Sequence, residues 1–241
     1  MIRLARICFI ASVFFAVWTI IVIVQMGGDA PAPGAPMSDG FQTPMIALEF
    51  AGSEADLAFL EGENGAELRA ELQRVQTLDF WFPIAYAGLA FWFFAGAFFR
   101  GQKFAAFGGI IALATIFADW NENAVINAML ASMDEGVAAA SYLPDLAAAT
   151  WIKWLLIAAY ALVFSVTLYL TKRPILGLPG LLAGGLIIAA AIMGGDPVVT
   201  ERLTIPLALF FLTILLTAMI YLRTSFKTEM GSHESPRKVE T

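Results

Sequence analysis

The run Ala118-Asp119-Trp120-Asn121-Glu122-Asn123, followed by Asn127, sets two carboxylates and several carboxamides at the end of an otherwise apolar stretch. Ionisable groups within a membrane-spanning segment cost about 2.5–3.5 kcal/mol each on insertion scales, so each demands a partner or a purpose. At 100° per residue, Asp119, Glu122, Asn123 and Asn127 fall within an arc of about 140°, while Asn121 points away. The same face continues as Thr115, Ala112 and Gly108, small residues that let a neighbouring helix approach. Asp79 opens a second apolar segment, and Lys153, in Trp151-Ile152-Lys153-Trp154, lies about one turn inside a third. Counted along the helix from Phe104, Asp119 lies roughly 22 Å in, which sets it at the level of Asp79 and Lys153. Lys153 is therefore the expected counter-ion of Asp119 or Glu122.

Three kinds of chemistry suit this constellation. It can be an ion-paired, hydrogen-bonded knot that locks helices together, with Asp79 capping the helix that contains Pro83. It can be a proton- or solute-binding site open to the outer side, the common use of intramembrane carboxylates. It can do acid–base catalysis or hold a hard cation such as Mg²⁺ or Ca²⁺. The last reading has the least support, because no nucleophile, histidine base or phosphate-binding loop accompanies the acids. Tyr86 and Tyr160 lie deeper and need hydrogen-bond partners of their own.

Much else is excluded by what the chain lacks. Its single cysteine, Cys8, rules out an intramolecular disulfide and thiolate metal sites. Its single histidine, His233, stands in a polar tail, so zinc and haem sites are not expected. No cofactor motif is present. Fourteen basic residues scattered over loops form no patch for nucleic acid.

The elements that must position these residues are membrane helices. Of 241 residues, 59% are hydrophobic and 14% charged, with a mean hydropathy of +0.76. A water-facing fold cannot hide that much apolar surface. The apolar residues come in six blocks of about 20, the length that crosses a bilayer: 7–26, 80–99, 104–123, 150–170, 175–193 and 203–222. The first follows Arg3 and Arg6 but is longer than a signal-peptide core, and Pro33 spoils the Ala30-Pro31-Ala32 cleavage site, so it reads as an uncleaved anchor.

Orientation follows from Lys and Arg. With the N-terminus inside, ten of the fourteen fall on the cytoplasmic side, and Arg69, Arg74, Lys153 and Arg202 stay outside. The expected fold is all-α, a polytopic membrane protein of six transmembrane helices with both ends in the cytoplasm of a bacterial inner membrane. Its parts are an anchor helix (1–26), an outer segment (27–78), a five-helix bundle (79–222) and a disordered cytoplasmic tail (223–241). The inner links Arg100-Gly101-Gln102-Lys103 and Thr171-Lys172-Arg173 are short enough to force antiparallel neighbours.

The outer segment begins with a Pro/Gly/Ala linker, then carries helix-start signals at Thr43-Pro44, at Ser53 with Asp56, and at Asn64 with Glu67. Leu68, Leu72 and Val75 form an apolar stripe against a charged back. These short amphipathic helices either pack on the bundle or dock a membrane-protein partner. Gly180 and Gly184 form a second surface of the packing type. The tryptophans mark the interfaces, and no internal repeat suggests an inverted-repeat transporter.

Asp79-Phe80-Trp81-Phe82-Pro83-Ile84-Ala85-Tyr86, the Ala118–Asn123 run and Lys153-Trp154, with Ala47-Leu48-Glu49-Phe50 ahead of them, resemble elements shared by a family of uncharacterised bacterial multi-pass membrane proteins, D-F-x-F-P-x-x-Y and A-D-x-x-E-N followed by K-W. The resemblance covers 43–156. It implies no activity, but it implies that these stretches form one structural unit. Two functional expectations result: a structural or partner-docking membrane protein, or a small-solute or ion-handling one, an enzyme at the outer limit of that class.

Overall fold

The computed structural model describes residues 1–27 and 31–233. Among them the chain forms helices and no strands. In order these are α1 (Ile2–Met26), α2 (Pro44–Glu49), a 3-10 helix (Glu54–Leu60), α3 (Gly62–Asp79), α4 (Phe82–Phe99), α5 (Ala105–Asp134), a 3-10 turn (Ala139–Tyr142), α6 (Leu143–Leu170), α7 (Pro174–Ile192), α8 (Pro197–Glu201) and α9 (Thr204–His233). Among the described residues, five stretches are long and apolar enough to cross a membrane: Ile2–Met26, Gly62–Phe99, Ala139–Leu170, Pro174–Ile192 and Pro197–Thr224. The sixth expected block is α5, which is not one of these five, since the polar run Asp119–Asn127 dilutes its hydropathy. It nevertheless lies between α4 and α6 and packs against both.

The bundle is built on aromatic and small residues. α1 packs along α4 and also meets α9. Phe9, Phe93, Phe94, Phe164 and Phe210 are fully buried at its centre. Ser12 of α1 donates its hydroxyl to the Leu89 carbonyl of α4 at 2.9 Å. A Cβ at Gly88 would stand 2.3 Å from the Phe15 ring, and one at Gly108 would stand 2.5 Å from the Phe94 ring, so close helix approach depends on these glycines.

A separate apolar core lies outside the bundle. Leu48, Leu57, Leu60, Leu68 and Leu72 of the outer segment pack with Ile126, Met129 and Leu130 of α5 and Leu146 of α6. In water, burying a leucine is worth about 1.5–3 kcal/mol, so the hydrophobic effect holds this cap together. α5 runs on to Asp134 to build it, about three turns past the expected end at Asn123, and Arg69 of α3 pairs with Asp134 at 2.7 Å.

Several expectations need correction. The Leu68–Leu72 stripe is consumed by this intramolecular core, so it is not an open docking face. The Gly180/Gly184 face is likewise occupied by α6 of the same chain: added Cβ atoms would meet the Ala161 carbonyl oxygen at 2.7 Å and the Ala158 carbonyl oxygen at 2.9 Å. α3 starts at Gly62 and not at Asn64, and its N-cap Glu61 makes no side-chain bond. The Ser53–Asp56 start does form, Asp56 accepting the Ser53 backbone N–H at 2.9 Å and its hydroxyl at 2.8 Å. Asp79 does not cap α4, whose N-cap is Trp81, without a side-chain bond. α9 stays helical to His233, so the expected disordered tail from 223 is helical over its first part. Residues 234–241 lie outside the described residues.

Candidate functional site

The site forms where α2 of the cap folds onto α4, α5 and α6, at the end of the bundle remote from the links 100–103 and 171–173. Lys153, one face of α6, is shared by two carboxylates. Its ammonium pairs with Glu122 of α5 and, at 3.1 Å, with Glu49 at the end of α2. Glu49 Oε2 also accepts the Trp154 indole N–H at 3.1 Å, and the Thr150 hydroxyl donates to the Glu49 backbone carbonyl at 3.2 Å. These four bonds and ion pairs tie α2, α5 and α6 at one point. The Phe50 ring beside Glu49 packs against Trp151 and Trp154, shielding the pairs from water.

Asp119 takes a different partner from the one its charge suggests. Its Oδ2 accepts the Tyr86 hydroxyl of α4 at 2.7 Å. Lys153 and Asp79 are close enough to act on it electrostatically, without a direct bond. Asp79 ends α3 and stands beside Asn123, within the field of Lys153, Glu49 and Glu122. The chain is held there by Trp120, whose ring stacks on Phe80 at 5.2 Å and whose indole N–H donates to the Phe80 carbonyl at 3.0 Å.

Four carboxylates from α2, α3 and α5 thus surround one ammonium. Glu122, Asp119, Lys153 and Glu49 are 1%, 4%, 6% and 8% exposed, so bulk water does not dilute the imbalance. Asp79 alone among the four acids is only partly buried. The polar atoms are also incompletely satisfied. Asp119 Oδ1, Glu122 Oε1, Asn123 Nδ2 and the Tyr160 hydroxyl are buried without a hydrogen-bond partner. Asp119 and Tyr160 lie near enough to interact, so their unbonded atoms belong to one neighbourhood. A buried polar atom left unbonded costs about 1–3 kcal/mol, and native structures keep few of them unless something else fills the gap.

The structure brings together Asp79, Asp119, Glu122, Asn123, Lys153 and Tyr86. It leaves out Asn127, which is exposed. Asn127 sits at the edge of the predicted arc, and the neighbouring Ile126 and Met129 turn inward to the cap core instead. Sequence reasoning missed Glu49 as a member. The signal was its place as the one charge in the apolar run Met45–Ala51, a position that makes little sense for a solvated helix. Among the described residues, no three His, Cys, Asp or Glu converge as a metal ion requires.

Fold and site together define a multi-pass, all-helical membrane protein with a buried acid–lysine cluster beneath a helical cap. Comparison of the chain with protein families, with curated proteins and with solved structures finds no match in any of the three.

Proposed function

We propose that this protein is a six-span membrane protein of the bacterial inner membrane, with both ends in the cytoplasm, that binds and releases protons at its acid–lysine cluster from the outer side. One observation carries the reading: four carboxylates face one ammonium in a site closed to bulk water, and two of those carboxylates have an unpartnered oxygen. An uncompensated charge in apolar surroundings is too costly to keep. The acids that Lys153 does not neutralise must carry protons. Asp79, at the rim, is the acid through which protons exchange with the outer medium. Tyr86 fixes Asp119, and Tyr160 faces it from the inner side. The groups that set proton occupancy are therefore Glu49, Asp79, Asp119, Glu122, Lys153, Tyr86 and Tyr160. The six-span count takes α5 as a span, supported by its position between α4 and α6 and by the short, basic links at both of its neighbours' inner ends.

The test is infrared difference spectroscopy of the carboxylic C=O band in reconstituted protein as external pH is stepped. Protonated buried carboxyls should be present at neutral pH, and Asp119→Asn should remove a distinct band. If the protein shows no protonated carboxyl until the pH is acid enough to titrate exposed acids, the reading fails.

A second reading is favoured by the way Lys153 links Glu49 to Glu122. Here the cluster is a latch that fastens the cap to the bundle in a structural protein, and its protons are bound permanently. It is distinguished by bands that are present but do not respond to external pH.

A further inference from the structure

Asp119 stands between two tyrosines and bonds directly to only one of them. The Tyr86 hydroxyl donates to Asp119 Oδ2 at 2.7 Å. Asp119 Oδ1 and the Tyr160 hydroxyl are each buried without a hydrogen-bond partner, although the two residues lie near enough to interact. The tyrosine rings are seated alike. Tyr86 packs on Phe211 at 5.6 Å between ring centres and Tyr160 on Phe210 at 5.8 Å, so neighbouring phenylalanines of α9 carry both. Side chains on a helix lean toward its N-terminus, and in α4 and α6 that end is the one beneath the cap. Tyr160 stands two turns beyond Lys153 on the same face of α6, so its ring leans back toward the acids. On its other side the packing is apolar. Phe210 meets Phe164 at 5.3 Å and Phe164 meets Phe93 at 5.0 Å, all three fully buried.

Two buried polar atoms that lie close to one another but beyond bonding distance are the setting of a bridging water. Asn123, one turn along α5 from Asp119, brings a third unpartnered atom, its Nδ2 donor. A carboxyl oxygen, an amide donor and a hydroxyl able to give or accept match the roughly three bonds that a buried water makes.

We propose that Asp119, Asn123 and Tyr160 bind one internal water molecule. The Asn123 amide donates to the water oxygen, and the water joins Asp119 Oδ1 to the Tyr160 hydroxyl. Tyr160 is a positioning residue: it holds the water against the acid and acts on the acid only through it. The role of the water rests on the proton-binding reading above. Because Tyr86 donates to Oδ2, a proton on Asp119 sits on Oδ1, and the water oxygen is the acceptor that the neutral acid needs. The phenylalanines beneath Tyr160 end the hydrogen-bonded network at this point.

Two measurements on the full chain test the assignment. The first is an experimental structure fine enough to show waters. A water should stand within about 3.2 Å of both Tyr160 Oη and Asp119 Oδ1; a direct bond between those atoms, an ion in that place or no density there overturns the proposal. The second is the carboxylic C=O band of Asp119, identified by its loss in Asp119→Asn. Tyr86→Phe removes a direct bond and should move that band to higher frequency. Tyr160→Phe removes one hydroxyl, keeps the ring and should move the band in the same direction. A band that moves in Tyr86→Phe but not in Tyr160→Phe overturns the proposal, and the density test needs no variant should either protein fold poorly. The two readings fail separately. A bound water beside carboxyls that ignore external pH leaves this site standing and sinks proton exchange, whereas carboxyls that follow external pH with no water between Asp119 and Tyr160 do the reverse.

Discussion

Replacing Lys153 with methionine removes the only ammonium from the cluster while keeping most of the side chain's volume. The structure states what is then stranded. Glu122 loses its sole partner, because its Oε1 has none to begin with. Glu49 loses one partner but keeps the Trp154 indole N–H. Asp119 loses no direct bond, since Tyr86 holds it. Removing one member of a buried ion pair typically costs about 3–5 kcal/mol. At about 2–4 °C per kcal/mol for a chain of this length, the melting temperature should fall on the order of 10 °C. The asymmetry supplies a stricter test than the fall itself. Adding Glu122→Gln to Lys153→Met should recover the most stability, adding Glu49→Gln less, and adding Asp119→Asn least. Purified variants can be heated in mild detergent and the surviving folded fraction read by size-exclusion chromatography. If Lys153→Met melts like the parent, Lys153 is not a buried counter-ion. If Asp119→Asn rescues as well as Glu122→Gln, the partner assignment is wrong even though the pair exists.

Three further outcomes are expected. Reporter fusions after Lys103 and Lys172 should read cytoplasmic and those near Glu135 and Asp196 outside; one inner site that reads outside removes the six-span assignment and its orientation. Gly184→Leu should destabilise the protein by about 1–3 kcal/mol through overpacking against α6, with no change in oligomeric state, whereas Gly185→Ala, where an added Cβ meets nothing within 4 Å, should be tolerated; a shift in oligomeric state with Gly184→Leu would restore that face as a docking surface. In the cap, the Ser38 hydroxyl, at 2.6 Å, holds the Asp56 carboxyl below its usual value of 3.8, helped by Ser53 and Gly52. A carboxyl whose folded value lies below its unfolded one adds stability that is present above the unfolded value and is lost as pH falls through the folded one. Protease nicking of 31–60 should therefore be unchanged from neutral pH down to about 4 and increase below that, and Asp56→Asn should remove that step.

How much of this could be read without a structure depends on whether the property is local. Apolar blocks long enough to cross a bilayer are a property of composition over about 20 residues, and five of the six expected segments reappear as helices that meet the same requirement. Turn and cap chemistry is local too, which is why the starts at Pro44 and Ser53 were legible. Helical period alone placed Asp119, Glu122 and Asn123 on one face, and the cost of a lone charge named Lys153 as their counter-ion. The same period could not decide Asn127, because a residue at the edge of an arc turns in or out according to which neighbour packs beside it, and Ile126 and Met129 won the cap core.

What only the tertiary structure decided is which faces meet. Glu49 lies 104 residues from Lys153 in the chain; the resemblance groups their two stretches in one unit, but only the fold of the cap brings carboxylate and ammonium within 3.1 Å. The amphipathic stripe of α3 and the small face of α7 are written plainly in the sequence, yet an apolar or small face does not state its partner, and both partners turned out to lie within the chain. α5 shows the reverse case. Its polar half looks too costly for a buried helix when counted alone, and becomes affordable once Tyr86 of α4 and Lys153 of α6 stand against it. Hydropathy and period are summed along the chain, whereas pairing energies exist only between surfaces that folding has already brought together.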